Sequence, residues 1–464
     1  MGFGLFKSKD CADVIFFNGN IYTNDPDFPW ASAVAVKDGE ILAVGDIDGM
    51  DDIMGSSTEQ IDLEGKYMFP GFIDIHRSPV MQAFEGLYCD LHGLDTTDEI
   101  VEAMSEWAEE HDEKEVLFGY GYSESFDTDE DILDQIDTDL PILLLCENNL
   151  SIWTNSIADD IIQETADEEC VDVVTPPYVL NLLLPFSAEE IEDSVKAQTE
   201  KLVDGGFTSV LNLQTPNFFE TLYRDSLMGQ YNEDGMKQRF FGSYFANRPL
   251  NPQSLLHMLM TRRTDCIEMG DMMNADILNL YLDNSQYEVS MTALVTILSA
   301  ISERGFITVI EAISHEDLLL AYKACEEIRA KYSKNIILIA SDAKLTDEEK
   351  SELVFFDTID TTWGTNIMSL SSIYGEGIKG MDERIAQLTT IPARLLGMED
   401  KLGSIEKGKY ADFVVYEEDL FHLSPNTNCS RLHAEMTVLG GEIVYDANAE
   451  YEMELFDMMS HIQM

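Results

Sequence analysis

Apolar and polar positions follow two rhythms along this chain. At the start, the apolar run Ala12-Asp13-Val14-Ile15-Phe16-Phe17 meets Asn18-Gly19-Asn20, a hairpin signal, and resumes at Ile21-Tyr22-Thr23. Ala33 to Val36, Lys37-Asp38-Gly39-Glu40 and Ile41 to Val44 read as strand, turn and strand. Gln60 to Leu63 then leads through Glu64-Gly65 to Tyr67-Met68-Phe69. The far end repeats this grammar: Phe413 to Tyr416 follows Gly408-Lys409-Tyr410-Ala411-Asp412, and Met436 to Leu439 turns through Gly440-Gly441 into Glu442 to Tyr445. Short strands at both termini predict one small β-sandwich domain built from residues 1–68 and 400–450, with 451–464 as a tail.

Between them, residues 69–399 alternate strand-length and helix-length segments. Strands are predicted at Phe72 to Ile75, Val116 to Phe118, Ile142 to Leu145, Thr208 to Leu211 and Ile277 to Leu282. Others follow at Ile307 to Ile310, Ile336 to Ile339 and Leu353 to Phe356. Helices are predicted at Asp98 to His111, Ala188 to Leu202, Met291 to Arg304, His315 to Tyr332 and Met381 to Leu396. Strand–helix alternation of this kind predicts a parallel sheet, open or closed.

Composition excludes several classes. A chain of 464 residues with 45% hydrophobic content can bury a large core, and is not of the disordered type. No apolar run reaches the roughly 18 residues of a membrane span, and Met1 to Asp10 has no signal-peptide core. Gly2 lacks the Ser or Thr that myristoylation requires further on, because Phe6 stands there. Seven scattered cysteines without a CxxC pair fit a reduced cytoplasm. The 88 acidic and 28 basic residues give a formal net charge of −60, spread along the whole chain. Phosphate binding needs a basic stripe, so nucleic acid is excluded as a partner. The acids read as a solvated surface that suits a salty medium.

Residues 69 to 76, Phe-Pro-Gly-Phe-Ile-Asp-Ile-His, resemble the first barrel strand of the amidohydrolase superfamily. The likeness runs nearly the length of the chain and is closest to the family-3 branch, relatives of N-substituted formamide deformylases. Trp153-Thr154-Asn155-Ser156 resembles its W-x-N-S segment, and Gly206-Phe207-Thr208-Ser209-Val210 its G-I-T-S-V strand. Asp283-Asn284-Ser285 stands at an Asp-Gly step. Thr389 with Pro392-Ala393 is similar to T-x-x-P-A, and residues 402–412, Leu-Gly-Ser-Ile-Glu-Lys-Gly-Lys-Tyr-Ala-Asp, to the closing L-G-S-I-x-x-G-K-x-A-D stretch. The resemblance implies a TIM-like (β/α) barrel with its site at the strand C-terminal ends, and hydrolysis of non-peptide carbon–nitrogen bonds by one or two divalent ions.

The resemblance also implies which positions should hold those ions. The paired histidines of the first strand read His76-Arg77-Ser78, so the second is a serine. The bridging lysine falls at Asn279, and the next two histidines at Glu311 and near Ser341. The substrate-side D-G-H reads Asn148-Asn149-Leu150. Asp357 and Asp360 are the nearest matches to the last aspartate, the general base. Glu311 serves either as a ligand or as the ion-pair partner of His76 or Arg77, and Asp74 is a candidate acid. His315 flanks the following helix, and the methionine-rich stretches around Met258 and Met272 read as packing. The segment between Ser341 and Thr389 is short for two strand–helix units, so an incomplete barrel is expected. Two functions stay open: a carbon–nitrogen hydrolase with an atypical site, and an inactive relative that binds a small molecule or regulates a partner. The expected cofactor is none or one zinc or manganese ion, and the expected partner an amide-like small molecule, with homo-oligomerisation open.

Overall fold

A computed structural model describes residues 11–449 apart from 76–77, 127, 137, 148–150, 172, 214, 234, 248–250, 286, 330, 333–334, 342, 344–345, 347–357, 361–380 and 423–432. The predicted strand Leu353 to Phe356, the tail 451–464 and the Asn148-Asn149-Leu150 segment lie outside the described residues. The described residues fall into two compact units. One comprises those of Met1–Ser78, Gln198–Leu213 and Tyr231–Met464, the other those of Pro79–Ala197 and Gln214–Gln230.

In the first unit, both chain ends enter one eight-stranded sheet. Its strands are β1 (Val14–Tyr22), β2 (Trp30–Lys37), β3 (Glu40–Gly45), β4 (Glu59–Asp62) and β5 (Tyr67–Pro70). From the far end come β17 (Phe413–Tyr416), β18 (Met436–Leu439) and β19 (Glu442–Asp446). The order is β19-β18-β17-β5-β1-β2-β3, with β4 on β1. They make one continuous sheet, and Phe16, Val34, Met68, Phe413 and Val415 pack into a core on it. The turn expected at Asn18-Gly19-Asn20 is instead an irregularity inside β1, where the register on β2 shifts between Phe17 and Ile21. Asn18 takes a left-handed φ of 55°, and the two halves of β1 pair with β4 and β5 in turn. At Lys37 to Glu40 the predicted turn forms, with φ of 50° at Asp38 and 80° at Gly39.

The same unit holds seven parallel strands. In space they run β6 (Phe72–Asp74), β11 (Phe207–Asn212), β12 (Arg239–Ala246), β13 (Met273–Leu282), β14 (Ile307–Ala312), β15 (Ile337–Ser341) and β16 (Thr358–Asp360). Chain order and spatial order agree, as successive βα units require. One face carries Tyr244, Leu278, Leu280, Ile310 and Ile339 against helices Pro252–Asp265, Met291–Glu303 and His315–Arg329. Phe241, Ile277, Val309 and Leu338 fill the core of the other face. The seven strands form an open path among the described residues, so the parallel sheet is established and closure into a barrel is not.

The predicted helix from Met381 to Leu396 is two helices, Met381–Leu388 and Thr390–Leu395. They meet at Thr389, whose φ of −135° and ψ of −84° are not helical. The second unit contains a separate four-stranded sheet, β10-β9-β8-β7, with β7 (Cys89–Asp90), β8 (Leu117–Tyr122) and β9 (Ile142–Cys146) parallel and β10 (Ile152–Thr154) antiparallel. Among the described residues no helix is long and apolar enough to cross a membrane.

Candidate functional site

Parallel-sheet folds build their sites where strands end and loops begin, because the loops there can vary without touching the core. At these ends the alternation of strand side chains places a polar row in an apolar face. Ser243 on β12 is in register with Ile277 on β13, and Asn279 follows two residues later. Asn279 is in register with Val309 on β14, and Glu311 again follows two residues later. Each step of two residues keeps the face and moves one strand along. The three side chains are 2%, 0% and 4% exposed.

Asn279 Nδ2 donates to Glu311 Oε1 at 2.5 Å. This fixes the amide, whose oxygen then faces away from the carboxylate. Asn279 Oδ1 and Ser243 Oγ are buried and have no hydrogen-bond partner among the described residues. Next along the strands stand Phe245 and Tyr281, both half-buried, with ring centroids 6.2 Å apart and planes at 74°. Tyr281 is in register with Glu311.

The loops behind this row are tied down by their own polar groups. Asp283 Oδ1 accepts from Ser285 N and Oγ at 3.0 and 2.6 Å. Asp317, fully buried, accepts from Asn284 N at 3.2 Å and from Ser314 N and Oγ at 3.1 and 2.5 Å, joining the loops after β13 and β14. The Asp-Asn-Ser step is thus a loop clamp. His315 opens the helix His315–Arg329, as its flanking position suggested.

Of the residues singled out in the sequence, the structure brings Asn279 and Glu311 together. Ser341 turns its hydroxyl to the Ala312 carbonyl at 2.6 Å. Asp360 ends β16 in register with Ser341. Asp74 is buried on β6 in register with Val210, and Ser78 Oγ reaches Asn212 Oδ1 at 3.3 Å. His76, Arg77 and Asp357 lie outside the described residues. Ser243 and Asp317 were missed. The signal for Ser243 was present, a single hydroxyl in the apolar run Phe240 to Ala246.

A zinc ion in a protein site takes three or four protein donors, usually imidazole, thiolate or carboxylate. No group of three or more His, Cys, Asp or Glu that could hold one occurs among the described residues. The fourth strand offers a neutral amide that already bonds the carboxylate of the fifth. The described side chains therefore do not fit a two-ion centre.

Comparison with known proteins places these features in context. The amidohydrolase family model matches residues 59–226 and 380–445, half of the chain. The interval that carries Ser243, Asn279, Glu311 and Ser341 lies between the matched ranges. YtcJ of Bacillus subtilis (strain 168), which bears a provisional amidohydrolase name, is 31% identical over 231 residues, covering 47% of this chain and 42% of its own length. The N-substituted formamide deformylase of Arthrobacter pascens is 33% identical over 94 residues, 20% of this chain and 17% of that protein. The chain spans well under half the length of the curated relatives it matches. Among solved structures, an uncharacterized metal-dependent hydrolase from Pyrococcus horikoshii superposes with a TM-score of 0.60 at 14% identity, over 90% of this chain and 99% of that one.

Proposed function

Because the chain belongs to the amidohydrolase family, we propose that it takes a small amide-like molecule at the strand ends of its parallel sheet and does not hydrolyse it by the family's two-ion route. The observation that carries this reading is the buried Asn279–Glu311 hydrogen bond. It occupies, with a neutral donor, the strand ends where the family resemblance calls for a lysine and a histidine. A divalent ion lowers the pKa of water from ~15.7 to about 7. Losing that leaves hydroxide scarcer by roughly eight powers of ten at neutral pH, a deficit of about 11 kcal/mol. General acid–base help of ~10²–10⁴ does not make up the difference. What the residues do supply is binding: a carboxylate held by an amide, with half-buried aromatic rings beside it.

A second reading has a specific observation in its favour. Glu311 is a buried carboxylate at the right strand, and a carboxylate is a competent ion ligand. With His76 and one of Asp357 or Asp360 it would make a single-ion hydrolase of carbon–nitrogen bonds. Elemental analysis of the purified chain, with turnover of amide and formamide panels before and after adding zinc or manganese, separates the two. Binding without turnover, and less than one ion per chain, is expected. One tightly held ion with metal-dependent hydrolysis would establish the second reading instead.

A further inference from the structure

We propose that Ser243 and Asn279 together receive the –NH2 group of an uncharged primary carboxamide. This rests on the reading above, in which the strand ends take an amide-like molecule, and it names the end of that molecule that enters. The two side chains share one face of the sheet. Asn279 on β13 is in register with Phe245 on β12, two residues beyond Ser243. Neighbouring strands lie about 4.8 Å apart and rise ~3.3 Å per residue, so the two Cα atoms are diagonal neighbours about 8 Å apart. Side chains projecting to one face from that separation can converge on a single small group.

Both present acceptors. Asn279 Nδ2 is given to Glu311 Oε1, which holds the amide so that Oδ1 points elsewhere. That oxygen can only accept, and Ser243 Oγ can accept or donate. Asn279 is 0% and Ser243 2% exposed, and neither oxygen has a hydrogen-bond partner among the described residues. Buried polar atoms of a folded chain are nearly always met. Glu311 already has its task in orienting the amide, and the ligand contact needs nothing from its charge.

The surroundings decide which donor fits. On this face the register neighbours of the pair are Ile277, Phe245 and Val309, whose side chains donate nothing. A water bridging the two oxygens would use both its hydrogens and leave its lone pairs facing apolar groups, whereas buried waters make about three hydrogen bonds. An ammonium group would bring a third donor and a charge. A carboxamide nitrogen carries two N–H donors and accepts nothing, so two acceptors satisfy it completely. Phe245 and Tyr281, half-buried and in edge-to-face contact one step further along the strands, offer apolar surface to the rest of the molecule.

The test is calorimetric titration of the full chain with benzamide, with N,N-dimethylbenzamide, and with acetophenone, in which a methyl group replaces the –NH2 at nearly the same size. Benzamide is expected to saturate one site and to bind about tenfold or more tighter than acetophenone, as two hydrogen bonds to buried acceptors imply. Ser243→Ala is expected to weaken benzamide by a few-fold, to leave acetophenone unchanged and to keep or raise the melting temperature, because it removes a buried oxygen that lacks a partner. Acetophenone binding as tightly as benzamide would overturn the N–H assignment while leaving the amide-like ligand of the reading above intact. A benzamide preference untouched by Ser243→Ala would place the donors elsewhere, and a lowered melting temperature would show that the hydroxyl is answered within the folded chain; either result overturns the proposal. No binding of either amide would remove both this inference and the reading on which it rests.

Discussion

Arg239 and Asp412 show how a single pair can explain a sequence motif. Asp412 closes the Gly-Lys-Tyr-Ala-Asp stretch that resembles the family so closely, and it is 3% exposed. Its carboxylate accepts from Arg239 Nε and Nη2 at 2.7 and 3.0 Å and from Gly440 N at 2.9 Å. The Arg239 guanidinium also lies over the Tyr410 ring, 4.0 Å from its centroid. Burial alone would lower the Arg239 pKa, but the Asp412 carboxylate outweighs it and the net shift is upward. The motif therefore locks the eight-stranded sheet to the start of β12; it is architecture, not chemistry. Removing one partner of a buried pair leaves the other charge uncompensated, at about 3–5 kcal/mol. Asp412→Ala should lower unfolding free energy by that amount in urea titrations. The double change Arg239→Met with Asp412→Leu should recover much of the loss. A single variant as stable as the parent chain would show that the pair contributes nothing.

At the level of elements, the Trp-Thr-Asn-Ser segment is a joint between β9, β10 and the helix Ser156–Glu169. Asn155, 2% exposed, caps that helix by accepting from Ala158 N at 3.1 Å. The same oxygen accepts from Ile142 N at 2.9 Å, and Nδ2 donates to the Leu140 carbonyl at 3.1 Å. Trp153 Nε1 donates to the Asp129 carbonyl at 3.0 Å. Asn155→Ala removes a cap and strands two more buried groups, so a loss of about 2–4 kcal/mol is expected. Hydrogen exchange should quicken first at Ile142 and Ala158; unchanged protection at both would count against the joint. Such elements were legible because strong periodicity marks them. The predicted strands at 72–75, 142–145, 208–211, 277–282 and 307–310 each overlap an observed one. The hairpin at Asn18-Gly19-Asn20 misled, because a turn-forming tripeptide also suits an irregular strand that changes partners midway. The helix Asn217–Glu233 went unread because its apolar positions are diluted by Arg224, Asp225 and Gln230. At the site, Glu311 and Asn279 could be named from the family resemblance, but their bond to each other could not. Pairing across strands depends on register, which a single sequence does not carry.

For the whole molecule, charge is the term that environment can tune. Eighty-eight acidic side chains face 28 basic ones, and the described ion pairs are few and mostly half-exposed, such as Lys66–Glu435 at 3.0 Å and Arg263–Asp276 at 2.6 Å. Exposed pairs contribute about 0–1 kcal/mol each, so they do not offset a net charge of −60. Carboxylates also crowd one another: the Glu130 pKa is raised because its carboxyl hydrogen-bonds the Asp159 carboxyl, itself bonded by Thr154 at 2.5 Å. Repulsion of this kind destabilises the folded state more than the expanded one, because folding brings the charges closer. Salt shortens its range, from a Debye length of ~10 Å at about 0.1 M to ~3 Å at about 1 M. The melting temperature should therefore climb steadily as sodium chloride rises from about 0.05 to about 1 M, with most of the gain before the Debye length falls below typical carboxylate spacing. Potassium chloride should act alike if screening is the cause, whereas binding at particular sites would discriminate between the cations. A flat or falling melting curve would mean that the acids lie too far apart to repel, and the charge would then bear on solubility and on the attraction of cations alone.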